Sequence, residues 1–200
     1  MLRVSNVQSF NWQNAIQGMR NPLQSWNKST SDYHNLKLCE NDIELAKKLI
    51  HGGSEHRKFL RQIFISGIVT APWYWWKEYA TYKVGTTENS TSQMHTITKR
   101  FLTKDDFEVD EWNEKFDFLL GSLNELIADY QISKDKKVWR ELIQLIPGSF
   151  KYTRTISLNY EIFFNMLIQR KNHKLVEWRE FLSELFKHLP YAKTFFESYI

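Results

Sequence analysis

IPGSFKYTRTISLNYEIFFNMLIQRKNHKLVEWRE, residues 146–180, is the stretch on which the fold turns. Pro147 stops the helix before it, because its ring removes a backbone donor and clashes with the preceding turn, and Gly148 makes the turn that follows. Residues 158–169 (LNYEIFFNMLIQ) are apolar almost all round, the pattern of a central buried helix. On a wheel of about 100° per residue, Asn159 and Arg170 fall about 20° apart and share a face with Phe163 and Met166. An unpaired buried guanidinium is too costly to persist, so Arg170 must meet a carboxylate, a cluster of carbonyls or a ligand. Asn165 projects roughly 120° away, on a helix apolar enough to enclose it too. An asparagine amide donates and accepts, which suits an internal hydrogen-bond network and the edge of a planar ring equally well.

Outward from this stretch, helical spacing dominates the second half. Leu175, Trp178, Phe181, Leu182, Leu185 and Leu189 mark a last helix ended by Pro190, and Val138, Leu142, Leu145 and Ile146 mark the helix before Pro147. Trp112, Phe116, Leu119, Leu123, Leu126, Ile127 and Tyr130 recur at three and four residues and predict a helix over 110–130 with one face inward. The first half is more mixed. Residues 59–69 (FLRQIFISGIV) suit a half-buried strand, after which Thr70 is expected to cap a helix with Pro72 in its first turn, running to Tyr82. A polar break at 89–91 and a short helix through Met94 and Ile97 follow. Asn41 and Glu44 fit a capping box for a helix carrying Ile43, Ala46, Lys47 and Ile50, stopped at Gly52-Gly53. At the start, Leu2 and Val4 alternate as in a short strand, and Asn11 caps a helix from Trp12 to Met19 that Pro22 ends. Residues 21–39, rich in Asn, Ser and Asp, read as a long surface loop.

Composition bounds the function. With 200 residues, 42% hydrophobic and 16% aromatic, the chain can bury a sizeable core, and residues 1–200 are read as one domain without internal repeats. Eight Trp, nine Tyr and fourteen Phe favour ring stacking on a planar ligand or an aromatic subunit interface, although core packing explains any single ring as well. The net charge of +4 suits a phosphorylated ligand and a nucleic acid alike, but no concentrated basic stripe supports the latter. Lone Cys39 excludes an internal disulfide, the first ten residues lack a secretory apolar core, and no apolar run approaches the ~20 residues of a membrane span. A cytoplasmic protein outside the membrane is expected. Zinc-protease, paired C-x-x-C, Walker, dinucleotide-fold and hydrolase-elbow motifs are all missing. His51 and His56 would sit about 140° apart on a helix, so no metal site is expected.

Residues 146–180 resemble the C-terminal segment of flavin-dependent thymidylate synthases: a Leu-Pro-type turn, a Thr, then Asn159, Asn165 six residues on and Arg170 five beyond that. Glu55-His56, the aromatic strand, Ala71-Pro72 and the aromatic helix resemble the family's lead-in to its signature. The resemblance therefore spans most of residues 50–195. It implies an α+β fold, with several long helices packed on a small, mainly antiparallel sheet. It also implies reductive methylation of dUMP or a related pyrimidine nucleotide, with methylenetetrahydrofolate as one-carbon donor, FAD as hydride carrier and NADPH as reductant. In the family this occurs in a homotetramer whose active sites are shared between subunits, by positioning and charge stabilisation without an enzyme nucleophile.

Carried over residue by residue, the resemblance assigns His56, Asn159 and Asn165 to the flavin and Arg170 to the pyrimidine base as the catalytic group. The family signature R-H-R-x-x-S-x-N-E-x-S-x-R-Y falls without gaps on TYKVGTTENSTSQM, residues 81–94. Thr81, Tyr82 and Lys83 then stand at Arg-His-Arg positions on the cofactor side, with Asn89 in place of Glu. Glu78, Thr91 and Gln93 are assigned to the nucleotide, Gln93 replacing an arginine that holds the phosphate. A second family arginine, four residues before the Leu-Pro turn, corresponds to Ile143. Losing two phosphate-facing guanidiniums would cost about two to four decades of affinity unless other cations compensate, Arg57, Arg61, Lys77 and Lys83 being the candidates. Such a thinned signature belongs to a divergent member of the type common in bacteriophage genomes, acting in the host cytoplasm. The alternative is a catalytically inactive relic that uses the scaffold to bind a nucleotide or a host protein.

Overall fold

The computed structural model describes Leu2–Tyr199. Its elements run β1 (Arg3–Phe10), α1 (Trp12–Gly18), α2 (Glu40–His51), β2 (Phe64–Pro72), α3 (Trp73–Tyr79), β3 (Thr87–Ser90), α4 (Gln93–Thr96), α5 (Glu114–Ser133), α6 (Lys136–Leu145), β4 (Lys151–Asn159), α7 (Tyr160–Arg170), α8 (Val176–His188) and α9 (Ala192–Phe196). The class is α+β, as expected. Four strands form one antiparallel sheet in the order β1-β2-β4-β3, with β2 and β4 paired from Phe64↔Asn159 to Pro72↔Lys151.

Strand alternation sorts the sheet into two faces. Ile65, Val69, Ala71, Ile156 and Leu158 point into the core, where α7 contributes Tyr160, Phe163, Phe164, Met166 and Leu167. Its densest part is aromatic: Trp75 lies 4.9 Å from Trp76 and 5.0 Å from both Trp178 and Phe181, ring centre to ring centre. The aromatic surplus is thus spent mainly on packing, while Trp26 and Trp73 stay partly exposed. The other sheet face is largely polar, apart from Ile68 and an exposed Phe10–Phe64 pair at one end. One rung crosses it from Arg3 to Thr70 to Thr153, the two threonine hydroxyls 2.8 Å apart, and the Thr91 amide extends the rung by donating to the Thr153 carbonyl at 2.9 Å. A second apolar cluster gathers Ile97, Leu102, Phe107, Leu123, Ile127 and Leu142 around α5 and α6.

Several local expectations are corrected. Strand β4 occupies residues for which the sequence pattern predicts no strand, and Leu158 and Asn159 close it rather than open a helix. Asn159, with extended backbone, instead caps α7, its Oδ1 accepting from the Ile162 amide at 3.0 Å. The helical angle between Asn159 and Arg170 therefore has no meaning here. Strand β2 begins at Phe64 because residues 58–62 form a 3-10 turn that buries Phe59 and Leu60. Thr70 stays in β2 and Pro72 ends it, so α3 starts at Trp73; the nine-pair ladder with β4 outweighs the Thr-Pro helix-start pattern. A short edge strand, β3, lies where the sequence suggests only a polar break. In α2 the cap position is Cys39, and Asn41 sits inside the helix with its amide donating to the Lys28 carbonyl at 3.2 Å. Helix α5 starts at Glu114 rather than 110, because Asn113 accepts from the Lys115 amide and fixes the end.

Residues 21–39 form two 3-10 turns and an isolated bridge from Asp32 to Lys37, fastened from below by Asp42. No helix among the described residues is long and apolar enough to cross a membrane.

Candidate functional site

Arg170, the last residue of α7, reaches the end of α3. Its Nη1 donates to Glu78 Oε2 at 3.2 Å, Nη2 to Thr81 Oγ1 at 3.2 Å and Nε to the Tyr82 hydroxyl at 3.1 Å. The guanidinium carbon lies 5.1 Å from the Trp178 ring centre and 5.6 Å from that of Tyr82, and Tyr82 in turn donates to Gln169 Oε1 at 2.8 Å. The carboxylate that Arg170 required is Glu78, which also lies 3.8 Å from His173 Nε2. The fork geometry of the guanidinium matters here, since a lysine could not reach three acceptors at once. Four of the sequence-selected residues, Glu78, Thr81, Tyr82 and Arg170, thus form one cluster. Lys83 is exposed beside it. Gly85 follows at φ +90, a backbone conformation that favours glycine, and a Cβ there would lie 2.6 Å from Ile162 Cδ1, so the Ile162 side-chain tip would have to shift.

Asn165 belongs to a second cluster. Arg57 Nε donates to both oxygens of buried Glu161 at 3.0 Å, its Nη2 lies 3.5 Å from Asn165 Oδ1, and its guanidinium sits 4.7 Å from the Phe164 ring centre. The Asn165 amide nitrogen makes no hydrogen bond among the described residues. His56 is exposed and lines a cleft of about 720 Å³ with residues 18–25 of the N-terminal loop, Leu45, Leu49 and Phe59. Asn159 stands apart from Asn165, occupied by its capping bond.

Thr91 and Gln93 form the third cluster, at the far end of the polar sheet face, and Asn89 pairs with Thr155 further along β3. The Tyr152 hydroxyl donates to Gln93 Oε1, while Gln93 Nε2 is buried without a partner. Burial pushes the Tyr152 phenol above its ordinary range despite nearby Arg154, so it stays a donor at neutral pH. Gln93 and Tyr152 stand between two hollows. One, of about 440 Å³, is lined by Arg3, Thr70, Thr91, Arg100, Lys151 and Thr153 among others. The other, of about 360 Å³, is lined by Trp73, Met94, Ile143, Ile146 and Pro147 and holds no cation. Gln93 and Ile143, the two positions aligned by the sequence resemblance with family arginines, therefore share a mainly apolar pocket.

Sequence reasoning passes over Glu161, His173, Arg3, Lys151 and Trp73. A buried glutamate on an apolar helix is the one legible signal, since it demands a cation in the same way as Arg170 demands an anion. Arg3 and Lys151 come together only through strand pairing across most of the chain.

A four-stranded antiparallel sheet with one largely polar face, backed by an aromatic core and long helices, is the fold of the flavin-dependent thymidylate synthases. The chain superposes on ThyX from Helicobacter pylori in complex with FAD and dUMP, with a TM-score of 0.75, 20% identity and coverage of 98% of this chain and 100% of that one. A second crystal structure of ThyX from Helicobacter pylori with FAD and dUMP gives a TM-score of 0.73 at 20% identity, covering 97% and 96%. No protein-family model and no curated protein matches the chain. At this identity the likeness is one of fold.

Proposed function

We propose that the protein is a divergent flavin-dependent thymidylate synthase-like protein that binds a pyrimidine nucleotide and methylates it reductively, with FAD, methylenetetrahydrofolate and NADPH. The observation that carries this reading is the Arg170 cluster. Two segments about ninety residues apart, each selected by its resemblance to the family, meet there through three directed hydrogen bonds. Held between Glu78 and the Trp178 ring, Arg170 is a fixed positive group that can stabilise negative charge on a pyrimidine ring without reorganising.

The chain's own residues fit a flavin. The cleft beside His56 has the volume for an extended dinucleotide; Arg57 and Asn165 lie outside its lining, Arg57 being paired with Glu161 and the Asn165 amide nitrogen left free to donate. When bound in this cleft, FAD would supply hydride transfer and His56 would contact it, while Asn165 and Lys83 lie outside the lining. Because the three clusters share no residue, the reading includes a homotetramer in which neighbouring copies complete each site, working in the cytoplasm.

A second reading has its own support: the cation-free pocket at Gln93 and Ile143 suits a scaffold that binds a nucleotide or a partner protein without turning it over. Purified protein should carry flavin absorbance and bind dUMP by calorimetry. Absence of both would overturn the synthase reading, and rescue of a thymidine auxotroph by this gene alone would exclude the non-catalytic one.

A further inference from the structure

We infer that Arg3 and Lys151 hold the phosphate of the nucleotide, supplying the positive charge that Gln93 and Ile143 do not. The inference rests on the reading of this cleft as a nucleotide site. The hollow of about 440 Å³ lies where the rung Arg3, Thr70, Thr153 crosses the sheet and Thr91 leaves β3. Thr70 and Thr153, their hydroxyls 2.8 Å apart, line it from neighbouring strands, with Thr91 and Thr96 beside them. Arg100 also lines it but is spent, with both terminal nitrogens on Asp106. Once that pair is set aside, Arg3 and Lys151 face one carboxylate, Asp105. Neither cation has an ion-pair partner among the described residues.

The neighbouring pocket points in the same direction. A phosphate placed against Trp73, Met94, Ile143, Ile146 and Pro147 would lose its hydration and meet no cation of the lining, Arg154 over the Trp73 ring being already paired with Glu88. A planar ring placed there would gain apolar contact and an aromatic neighbour. Gln93, lining both hollows, has a buried amide nitrogen that lacks an acceptor, and an anionic ligand oxygen would satisfy it. The ligand class is thus a phosphate monoester attached to a flat heterocycle, its phosphate on the Arg3 and Lys151 side and its ring on the Trp73 side.

Calorimetry of the intact chain with dUMP, deoxyuridine and 2-deoxyribose 5-phosphate tests this. Arg3→Gln and Lys151→Gln should each weaken both phosphate esters by about tenfold, and the double variant by ~30–100-fold. Deoxyuridine should change by less than about twofold, Lys151→Arg should retain most affinity, and the variants should melt near the wild type because neither side chain is fully buried. If the double variant binds dUMP like the wild type, the inference is overturned while the nucleotide reading stands. If deoxyribose phosphate binds through Lys151 but uracil adds nothing, the anion site stands and the pyrimidine reading falls. If the wild type binds no phosphate ester, both fall.

Discussion

Replacing Asp42 by Asn should destabilise the protein more than any surface change, and the size of the effect follows from its surroundings. Asp42 is fully buried and Arg20 is 3% exposed. The carboxylate accepts from Arg20 Nε at 2.6 Å, Ser29 Oγ at 2.6 Å, Ser31 Oγ at 2.5 Å and the Cys39 thiol at 3.4 Å. Asn keeps the shape but removes the charge, and its amide nitrogen meets groups that were donating. With the Asn oxygen facing Arg20, the guanidinium keeps a neutral acceptor and the Ser25 carbonyl at 3.4 Å but no counter-charge, its Nη2 already lacks a partner, and the new amide nitrogen faces the Ser29, Ser31 and Cys39 donors. Stranding one member of a buried ion pair costs about 3–5 kcal/mol. For a chain of this length each kcal/mol moves the melting temperature by about 2–4 °C, so a fall of about 6–20 °C is expected by calorimetry. Arg20→Met should recover part of the loss in the double variant, because it removes the stranded charge. Burial pushes the Asp42 carboxyl up, but the Ser29, Ser31, Arg20 and Cys39 hydrogen bonds outweigh it and hold it below its ordinary 3.8. Its contribution is therefore present above about pH 4 and is lost as pH falls through the lowered native value; Asp42→Asn should lack that component of the acid slope. The same residue pins the loop that walls the His56 cleft, so hydrogen exchange in residues 29–39 should rise and flavin affinity should fall. A loss below about 1 kcal/mol with an unchanged acid slope would refute the reasoning.

Three further outcomes are expected. Gly85→Ala forces a positive φ on a side-chain residue and drives its Cβ into Ile162, which should cost about 1–3 kcal/mol in denaturant unfolding; adding Ile162→Ala should return only the steric share. Arg170→Lys keeps the charge but cannot satisfy Glu78, Thr81 and Tyr82 together, so under the proposed synthase reading turnover of dUMP should fall by at least about tenfold while stability drops by less than ~2 kcal/mol. Trp178→Ala opens a cavity in the aromatic cluster and should cost about 3–5 kcal/mol, with a loss of near-ultraviolet dichroism reporting the disrupted ring packing.

Helices α5, α6 and α8 are legible in the sequence because each buries one stripe, and apolar residues spaced at three and four cannot all face one side of a strand. Strand β4 is not, although Ile156 and Leu158 alternate with Thr155 and Ser157. No Gly or Pro separates it from α7, so along the chain the apolar run of the helix merges with the last two residues of the strand. What divides them is the capping bond of Asn159, and that bond depends on backbone geometry. The Thr70-Ala71-Pro72 pattern misleads for the opposite reason. Its local preference for a helix start is worth about 1 kcal/mol, whereas leaving the ladder would unpair the last part of the β2–β4 contact.

The candidate site divides along the same line. Arg170 is recognisable as a cation in search of a partner because it ends an apolar helix; that it is only half-buried there, and that the partner is Glu78, are properties of the fold. Gln93 stands out because it replaces a charge, and the natural next step is to look for compensating cations nearby in sequence, at Arg57, Arg61, Lys77 and Lys83. None of these lines the cleft; Arg3 and Lys151 do, one from the first strand and one from the last. A sheet ordered β1-β2-β4-β3 brings those two strands to either side of β2, so charge lost from the signature segment can be restored from either flank without altering that segment. A family signature records where one lineage kept its cations. The requirement that a phosphate meet positive charge is less local, and under the proposed reading the antiparallel register is what would satisfy it in this chain.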